Sequence, residues 1–443
     1  MVELKCYDAY VKTTLPWVPE IPFGWHVRKL SHVINYTVGF TPESGNPVFY
    51  GDDFAWANIS DLGPRFLMET SKGITKEAIE KYKKKPANAG SLLYSFKLTV
   101  GQVSFAGKEM YTNEAIASFG ESDLIRLSYF FYLAPLAIIQ NASENIYGAK
   151  ILNQEAIGNA KLIIPPIEEQ EAIARFLDFK TAQIDALIAK KQTLLEKLTE
   201  KRTALISHAV TKGLDPSVSM KNSGVEWLGK IPAHWHTKRL RFCMTTNPSK
   251  SEIRLKDDEL VSFIPMEAVG EFGGLKLEVE KELGEISGGY TYFVNGDVVV
   301  AKITPCFENG KGAIARNLKN GLAFGTTELH VMRTGSDLLP DYLFHLTMSH
   351  PFRKIGESEM YGAGGQKRVP ETFLKDFRIG LPPLNEQNEI VKYISSINHK
   401  IDQQVLKTSE AINRLAEYRS AIITNAVTGK IDVRGWQIPQ EAA

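Results

Sequence analysis

Residues 165–177 read PPIEEQEAIARFL, and residues 382–394 read PPLNEQNEIVKYI. One motif therefore occurs twice, 382 − 165 = 217 positions apart. With that offset held, Glu169-Gln170 meets Glu386-Gln387, Ile184-Asp185 meets Ile401-Asp402, Arg202 meets Arg419, and Gly148 and Lys150 meet Gly365 and Lys367. A second marker opens each half: WVPEIPFGWHVRKL from Trp17 and WLGKIPAHWHTKRL from Trp227, 227 − 17 = 210 apart. The chain is a duplicated unit of opening marker, divergent region and closing segment, the second divergent region being about seven residues longer.

Apolar residues in the closing segments recur at heptad spacing. Leu177, Ile184, Leu198 and Leu205 form one ladder, broken at Lys191; Ile394, Ile401, Leu415 and Ile422 form the other, broken at Thr408. Leu187, Ile188, Leu194 and Leu195 widen the first stripe, and Val405 and Ile412 the second. This spacing predicts two long helices sharing a seam. Each proline pair fits a first helical turn, Glu168, Glu169 and Glu386 place negative charge at the positive end of the dipole, and Gly213 and Gly429 supply stops. The run from Glu168 to about Val210 reaches roughly 65 Å as a helix. Taken alone, such helices read as a homodimerising coiled coil. Duplication within one chain instead predicts that they pair with each other, antiparallel about a two-fold axis, with one divergent region at each end. Glu169, Gln170, Glu386 and Gln387, with the two ladders, are the candidates for holding this frame and for docking partners.

The divergent regions read as mixed α/β. GSLLYSFKLTVGQVSF from Gly90 and GDVVVAKITPCFENGKGAIA from Gly296 share a turn glycine, a short apolar strand, a Lys-x-Thr step (Lys97/Thr99; Lys302/Thr304) and a further strand. A polar step follows in each, YTNEAIASF from Tyr111 and FGTTELHVM from Phe324. The expected fold is α+β: two mixed α/β domains joined by two long antiparallel helices, with a pseudo-two-fold repeat. The boundaries are 1–164 for the first domain, 165–212 for the first helix, 213–381 for the second domain, 382–428 for the second helix and 429–443 for a tail.

Lys302, Asn309, Lys311, Arg316 and Lys319 fall in one loop-rich stretch, and Gly364, Gly365, Gln366, Lys367 and Arg368 form a second polar cluster. Lysine and arginine hold phosphates, whereas Asn, Gln, Thr and Arg read base edges. As single residues these are ordinary solvated loop positions. Their place in the parts that differ between matched repeats favours recognition.

With 52 basic and 51 acidic residues in 443, the chain has no global field to draw in a polyanion, so nucleic acid would have to meet local patches. Cys6, Cys243 and Cys306 form no paired framework and read as buried or inert thiols of a reducing cytoplasm. The amino terminus MVELKCYDAY has charges where a signal peptide needs an apolar run, and LSYFFYLAPLAII from Leu127 is too short to span a bilayer and reads as a core helix. No GxxxxGK[ST] phosphate loop is present. Asn247-Pro248-Ser249-Lys250 lacks the second proline and the aromatic of an adenine methyltransferase step, and GAGGQ from Gly362 lacks dinucleotide-binding spacing. His234 and His236 flank Trp235, but only His236 has a repeat counterpart, His26; packing around Trp25 and Trp235 explains them better than a metal site.

Two PPxxEQ motifs opening heptad helices, each preceded by a divergent region that begins IPxxWxxxxL, resemble the specificity subunit of a Type I restriction-modification system. KITPCFENGKGA and FGTTELHVMR resemble one recurrent class of target-recognition domain. The resemblance implies a non-catalytic DNA reader: two recognition domains, each binding half of an asymmetric bipartite site, with the helices as a ruler for the spacer. It implies double-stranded DNA, two methyltransferase subunits and motor-nuclease subunits as partners. S-adenosylmethionine would belong to the methyltransferase and ATP with Mg to the motor-nuclease; this chain would hold no cofactor and no metal. On this reading Lys97, Thr99, Asn113, Lys302, Thr304, Asn309, Lys311, Thr326, Thr327, Gln366, Lys367 and Arg368 are the candidates for DNA contact. The first region lacks a close copy of PCFENGKGA, so its reading loop has no direct analogue. The alternatives are a coiled-coil scaffold, a cryptic DNA-modifying enzyme and an orphan subunit serving methylation alone.

Overall fold

The computed structural model describes residues 5–144, 150–286, 288–362 and 365–439; Gly148 and Gly364 lie outside them. The two heptad segments form helices Ile167–Lys212 and Leu384–Val427, 46 and 44 residues long. The chain divides into two compact units, one of residues 1–190 and 411–443, the other of residues 191–410. Each unit therefore takes one half of each helix.

In the first unit a five-stranded sheet runs in the order Tyr36–Val38, Ile116–Phe119, Leu92–Ser95, Val103–Ala106, Phe66–Leu67. All four residues of Leu92–Ser95 are buried, so this strand is covered on both faces and loses the in-out alternation of a half-exposed strand. The apolar stretch from Leu127 is indeed a core helix, Leu127–Ala137, with Tyr129, Phe130 and Leu133 fully buried. Phe176, Leu177 and Ile184 of the first long helix share this core with Ile422, Ala426 and Val427 of the second. The Tyr129 hydroxyl bonds both Ile163 O, just before the first helix, and Val427 O, at the end of the second, while further along Asp185 accepts from Arg419 at 2.8 Å, so within this unit the helix segments run antiparallel.

The second unit repeats the order of four of these strands and lacks a counterpart of Phe66–Leu67 in its main sheet among the described residues. Its main sheet has the order Met244–Thr246, Leu329–Thr334, Val298–Ala301, Gly312–Ile314, and Val298–Ala301 is again buried throughout. Ile206 and Val210 share its core with Ile390 and Ile394; the Tyr342 hydroxyl bonds both Val210 O and Gly380 O, and Arg202 pairs with Asp402 further along, which gives the same antiparallel sense. Under the 217-residue offset, Asp185–Arg419 and Asp402–Arg202 are images of each other. In both units the chain enters and leaves the divergent region through a hydrogen-bonded neck. Leu30 N–H donates to Ala160 O at 2.8 Å and Leu240 N–H donates to Phe377 O at 2.9 Å, beside the pairs His26–Lys29 with Lys161–Ile164 and His236–Arg239 with Arg378–Leu381.

One expectation about the helix stripe needs correction. Leu187 and Leu194 are 47% and 45% exposed, because at about 100° per residue they fall well to one side of the buried Leu177–Ile184–Leu198 line, and Leu205 yields the core position to Ile206. Part of the segment after Gly429 packs on the first unit: Val433 is buried, Trp436 lies edge-on to Phe176 at 5.2 Å, and Lys5 pairs with Asp432. Cys6 is exposed, while Cys243 is buried and Cys306 half-buried. Among the described residues no helix is long and apolar enough to cross a membrane.

Candidate nucleic-acid interface

The frame that carries the interface explains the repeated motif. The proline pairs sit immediately before the helices, and Gln170 and Gln387 are fully buried behind them. Gln170 Nε2 donates to Pro165 O at 2.9 Å and to Leu124 O at 3.1 Å, and its Oε1 accepts from Arg126 N–H at 2.8 Å. Gln387 repeats the arrangement with Pro382 O, Asp337 O and Leu339 N–H. A buried amide that uses both donors and its acceptor on backbone groups is a fixed joint between helix and domain. The preceding glutamates clamp the opening markers. Glu169 accepts from Trp25 Nε1 and the Tyr7 hydroxyl, both at 3.0 Å, and Glu386 accepts from Trp235 Nε1 at 2.9 Å and meets His234 at 2.7 Å. His26 and His236 are exposed on their strands; the packing is done by Trp25 and Trp235. Gly213 and Gly429 close the helices with φ of +77° and +72°, and a Cβ on Gly429 would lie 2.3 Å from Pro22.

In the second unit the candidates converge at one end of the main sheet. Lys302 follows strand Val298–Ala301, and its N–H donates to Glu328 O at 2.9 Å, beside Thr326 and Thr327. The segment ending at Arg368 packs along it. Thr304 Oγ1 donates to Gly365 O at 2.9 Å and accepts from Lys367 N–H at 3.1 Å, and Val369 N–H donates to Lys302 O at 2.8 Å. Lys302, Thr304, Thr326, Thr327, Gln366, Lys367 and Arg368 thus form one surface. Arg368 is already paired with both oxygens of Glu328, at 2.8 and 2.9 Å, and that hydrogen bonding holds the Glu328 carboxyl below its ordinary range. Burial pushes the pKa of the His330 imidazole down, and its Nε2 lies 2.8 Å from Val369 O. Among the described residues the ammonium groups of Lys302 and Lys367 make no ion pair, which leaves them available to phosphate. Lys311 stands apart, its Nζ donating to Met266 O at 3.1 Å. Asn309 is exposed on the adjoining turn, while Arg316 and Lys319 are engaged by Asp341 and Glu280.

In the first unit Lys97 and Thr99 occupy the exposed turn after Leu92–Ser95, around Leu98, which takes φ +58° and is 91% exposed. Asn113 matches Thr326. Each donates its N–H across to the small sheet, to Ala57 O at 2.9 Å and Ile264 O at 3.1 Å, and each side-chain oxygen caps the N–H two residues on. The two Lys-x-Thr steps do not match. Ser95 faces Ile116 as Ala301 faces Leu329, so the counterpart of Lys302 is Phe96, and Lys97 falls opposite Ile303. One residue of register reverses which face a strand side chain occupies. A basic run that sequence reasoning passed over, Lys83-Lys84-Lys85, is exposed after the short helix Lys76–Tyr82, and its charge density was the available signal. The cluster of Phe40, Trp56, Ile74, Ala78 and Tyr111 seats that helix beside the strand leading to Asn113. Among the described residues no group of three His, Cys, Asp or Glu side chains is placed to hold a metal ion.

Residues 22–199 and 250–414 match the family described as Type I restriction modification DNA specificity domain. Over 249 residues the chain is 34% identical to the specificity subunit of the Type I restriction enzyme EcoEI of Escherichia coli, a stretch that is 55% of this chain and 41%, less than half, of that protein. It is 36% identical over 239 residues to the EcoAI specificity subunit of the same organism, covering 53% of this chain and 40% of the relative. To the MjaVIII specificity subunit of Methanocaldococcus jannaschii it is 23% identical over 444 residues, 94% of each chain. Its fold is similar to a chain solved in work on complex assembly and conformational transition of the type I R-M system, with TM-score 0.68 and 14% identity over 93% of this chain and 99% of that one. It is also similar to the HsdS subunit from Thermoanaerobacter tengcongensis, with TM-score 0.50 and 15% identity over 93% and 98%. A duplicated frame that holds unlike loops, matched to this family over most of its length, places the chain: it belongs to the Type I restriction-modification DNA specificity family.

Proposed function

We propose that this chain reads a bipartite, asymmetric duplex target, one half through each divergent region, and positions two adenine methyltransferase subunits on it. The observation that carries the reading is the contrast at the sheet ends. Gln170 and Gln387 make the same three bonds, whereas the sheet-end loops of the two units carry different side chains: Lys97, Thr99 and Asn113 in the first, Lys302, Thr304, Gln366 and Lys367 in the second. A common frame suits equivalent partners, and unlike loops suit unlike half-sites. The long helices act as the spacer between the recognition domains, antiparallel as their segments are in each unit. Exposed apolar side chains on them, Leu187, Leu194, Leu406 and Tyr418, offer contact area to the methyltransferases.

Catalysis belongs to the partners in this reading. S-adenosylmethionine is bound by the methyltransferase, ATP and Mg by motor-nuclease subunits where cleavage occurs, and the assembly works in the cytoplasm. The test is methylation mapping by long-read sequencing in a methylation-free host that expresses the chain with and without its neighbouring methyltransferase. A split motif with modified adenines on opposite strands, present only with both proteins, is expected. Methylation without this chain, or an unsplit motif, would refute the reading.

A further inference from the structure

The two units differ at one matched place on their helices. In the first unit a groove of about 490 Å³ opens between Gly101, Phe131, Pro135, Ala416, Arg419 and Ile423. That size lies within the range of pockets that enclose small groups. In the second unit the corresponding place is filled by Phe272. Its N–H donates to Gly310 O at 3.3 Å, the Arg202 guanidinium lies over its ring at 5.5 Å, and the next residue, Gly273, approaches the Phe344 ring.

The correspondence is fixed by bonds. Tyr129 donates to Ile163 O and Val427 O, and Tyr342 to Gly380 O and Val210 O, acceptors 217 positions apart in each case, which aligns Phe131 with Phe344 and Pro135 with Met348. Gly101 lies against Pro135 as Gly310 lies against Met348, with φ of +95° and +79°. Arg419 and Arg202 are repeat images. The Arg202 side chain, under Phe272, is 14% exposed, and that of Arg419, which lines the groove, is 37% exposed.

The cause is a local difference in the chain. Trp56 and Phe263 pair identically with Tyr111 and Phe324, and seven residues later both chains reach a glycine, Gly63 or Gly270. The second unit then runs Glu271-Phe272-Gly273-Gly274 and drops Phe272 onto Arg202. The first runs Pro64-Arg65, and Arg65 packs on the wall residue Phe131, 4.7 Å from its ring, and pairs with Asp178 at 2.6 Å, without itself lining the groove.

We propose that the open groove of the first unit is a docking site for an aromatic side chain of the methyltransferase subunit, which takes there the place that Phe272 takes in the second unit. The proposal rests on the functional reading above for the identity of the partner. Its chemistry rests on the filled copy: a ring stacked on an arginine and walled by apolar side chains, the kind of contact that concentrates binding energy at interfaces. Continuity with the repeated helix supports the choice of partner, since Ala416, Arg419, Ser420 and Ile423 all belong to it. The consequence is asymmetry. A subunit that binds both units inserts its aromatic in the first alone, so the two binding steps differ.

The experiment is a titration of the full-length chain with the purified methyltransferase, followed by native mass spectrometry, with hydrogen exchange over residues 411–423 to identify the site. Wild type is expected to show two unequal steps, the tighter one protecting that stretch. Ala416→Trp, at an exposed helix position, fills the groove and is expected to weaken the tighter step at least tenfold while leaving the other step and the melting temperature unchanged. Phe272→Ala opens the second groove and is expected to tighten the weaker step. Equal wild-type steps, or steps that Ala416→Trp does not move, overturn the proposal while the functional reading stands. Absence of any methyltransferase binding overturns both.

Discussion

At the scale of single residues, the decisive distinction is between cations that serve the fold and cations left for a ligand. Lys302 and Lys311 belong to the same loop-rich stretch, yet Lys311 spends its ammonium on Met266 O while Lys302, with Lys367, makes no ion pair among the described residues. Each phosphate contact contributes a slope of about 0.9 to the dependence of log K on log salt for duplex DNA. Lys302→Ala and Lys367→Ala are therefore each expected to lower the salt slope of DNA binding by about one and to weaken binding uniformly across sequences. Lys311→Ala is expected to leave the slope alone and to lower unfolding stability instead. Fluorescence anisotropy over a salt series separates the three. An unchanged slope for both Lys302 and Lys367 would remove this surface from the phosphate path. Residue type was legible in the sequence here, but engagement was not, because the partners of Lys311, Arg316 and Lys319 lie 45, 25 and 39 positions away along the chain. The Lys97/Lys302 match failed for a related reason: identical letters can sit one place out of register, and only the pairing of Ser95 and Ala301 with their neighbours reveals it.

At the scale of elements, the helices were legible because periodicity is local. Leu177, Ile184, Leu198, Ile394, Ile401 and Ile422 are all buried as their spacing requires. What the heptad pattern could not convey was the purpose of the Glu-Gln pair, whose partners are backbone groups and tryptophans of distant segments. That purpose has an energetic signature. Gln387→Ala leaves Asp337 O, Pro382 O and Leu339 N–H without their buried partner, and each such group costs about 1–3 kcal/mol. The expected loss is about 2–4 kcal/mol in urea unfolding, with Gln387→Glu at least as harmful because it buries a charge among carbonyl oxygens. A loss below about 0.5 kcal/mol, the level of an ordinary surface substitution, would show that the joint is dispensable.

At the scale of the whole molecule, the duplication makes a demand that a single recognition domain would not. Both divergent regions leave the frame through the same neck, Leu30 with Ala160 and Leu240 with Phe377, and both keep the same order of four strands in the main sheet. The segment 241–376 therefore carries everything peculiar to the second region, and the frame on either side of it is repeated around 31–159. A chain in which residues 241–376 replace residues 31–159 keeps Trp25, Glu169 and the Asp185–Arg419 bridge in place. Leu124 and Arg126, which Gln170 engages, give way to Asp337 and Leu339, the partners that Gln387 already uses. If each region reads its own half-site and the helices pair antiparallel, this chain must read the same half twice in opposite orientation. Methylation mapping should then return a palindromic split motif built from the second half of the natural target. A direct repeat would mean that the units are not related by a two-fold axis. Retention of the natural asymmetric motif would mean that residues outside 31–159 read the first half-site. The experiment thus tests at once where the reading residues lie and how the repeated frame orients them.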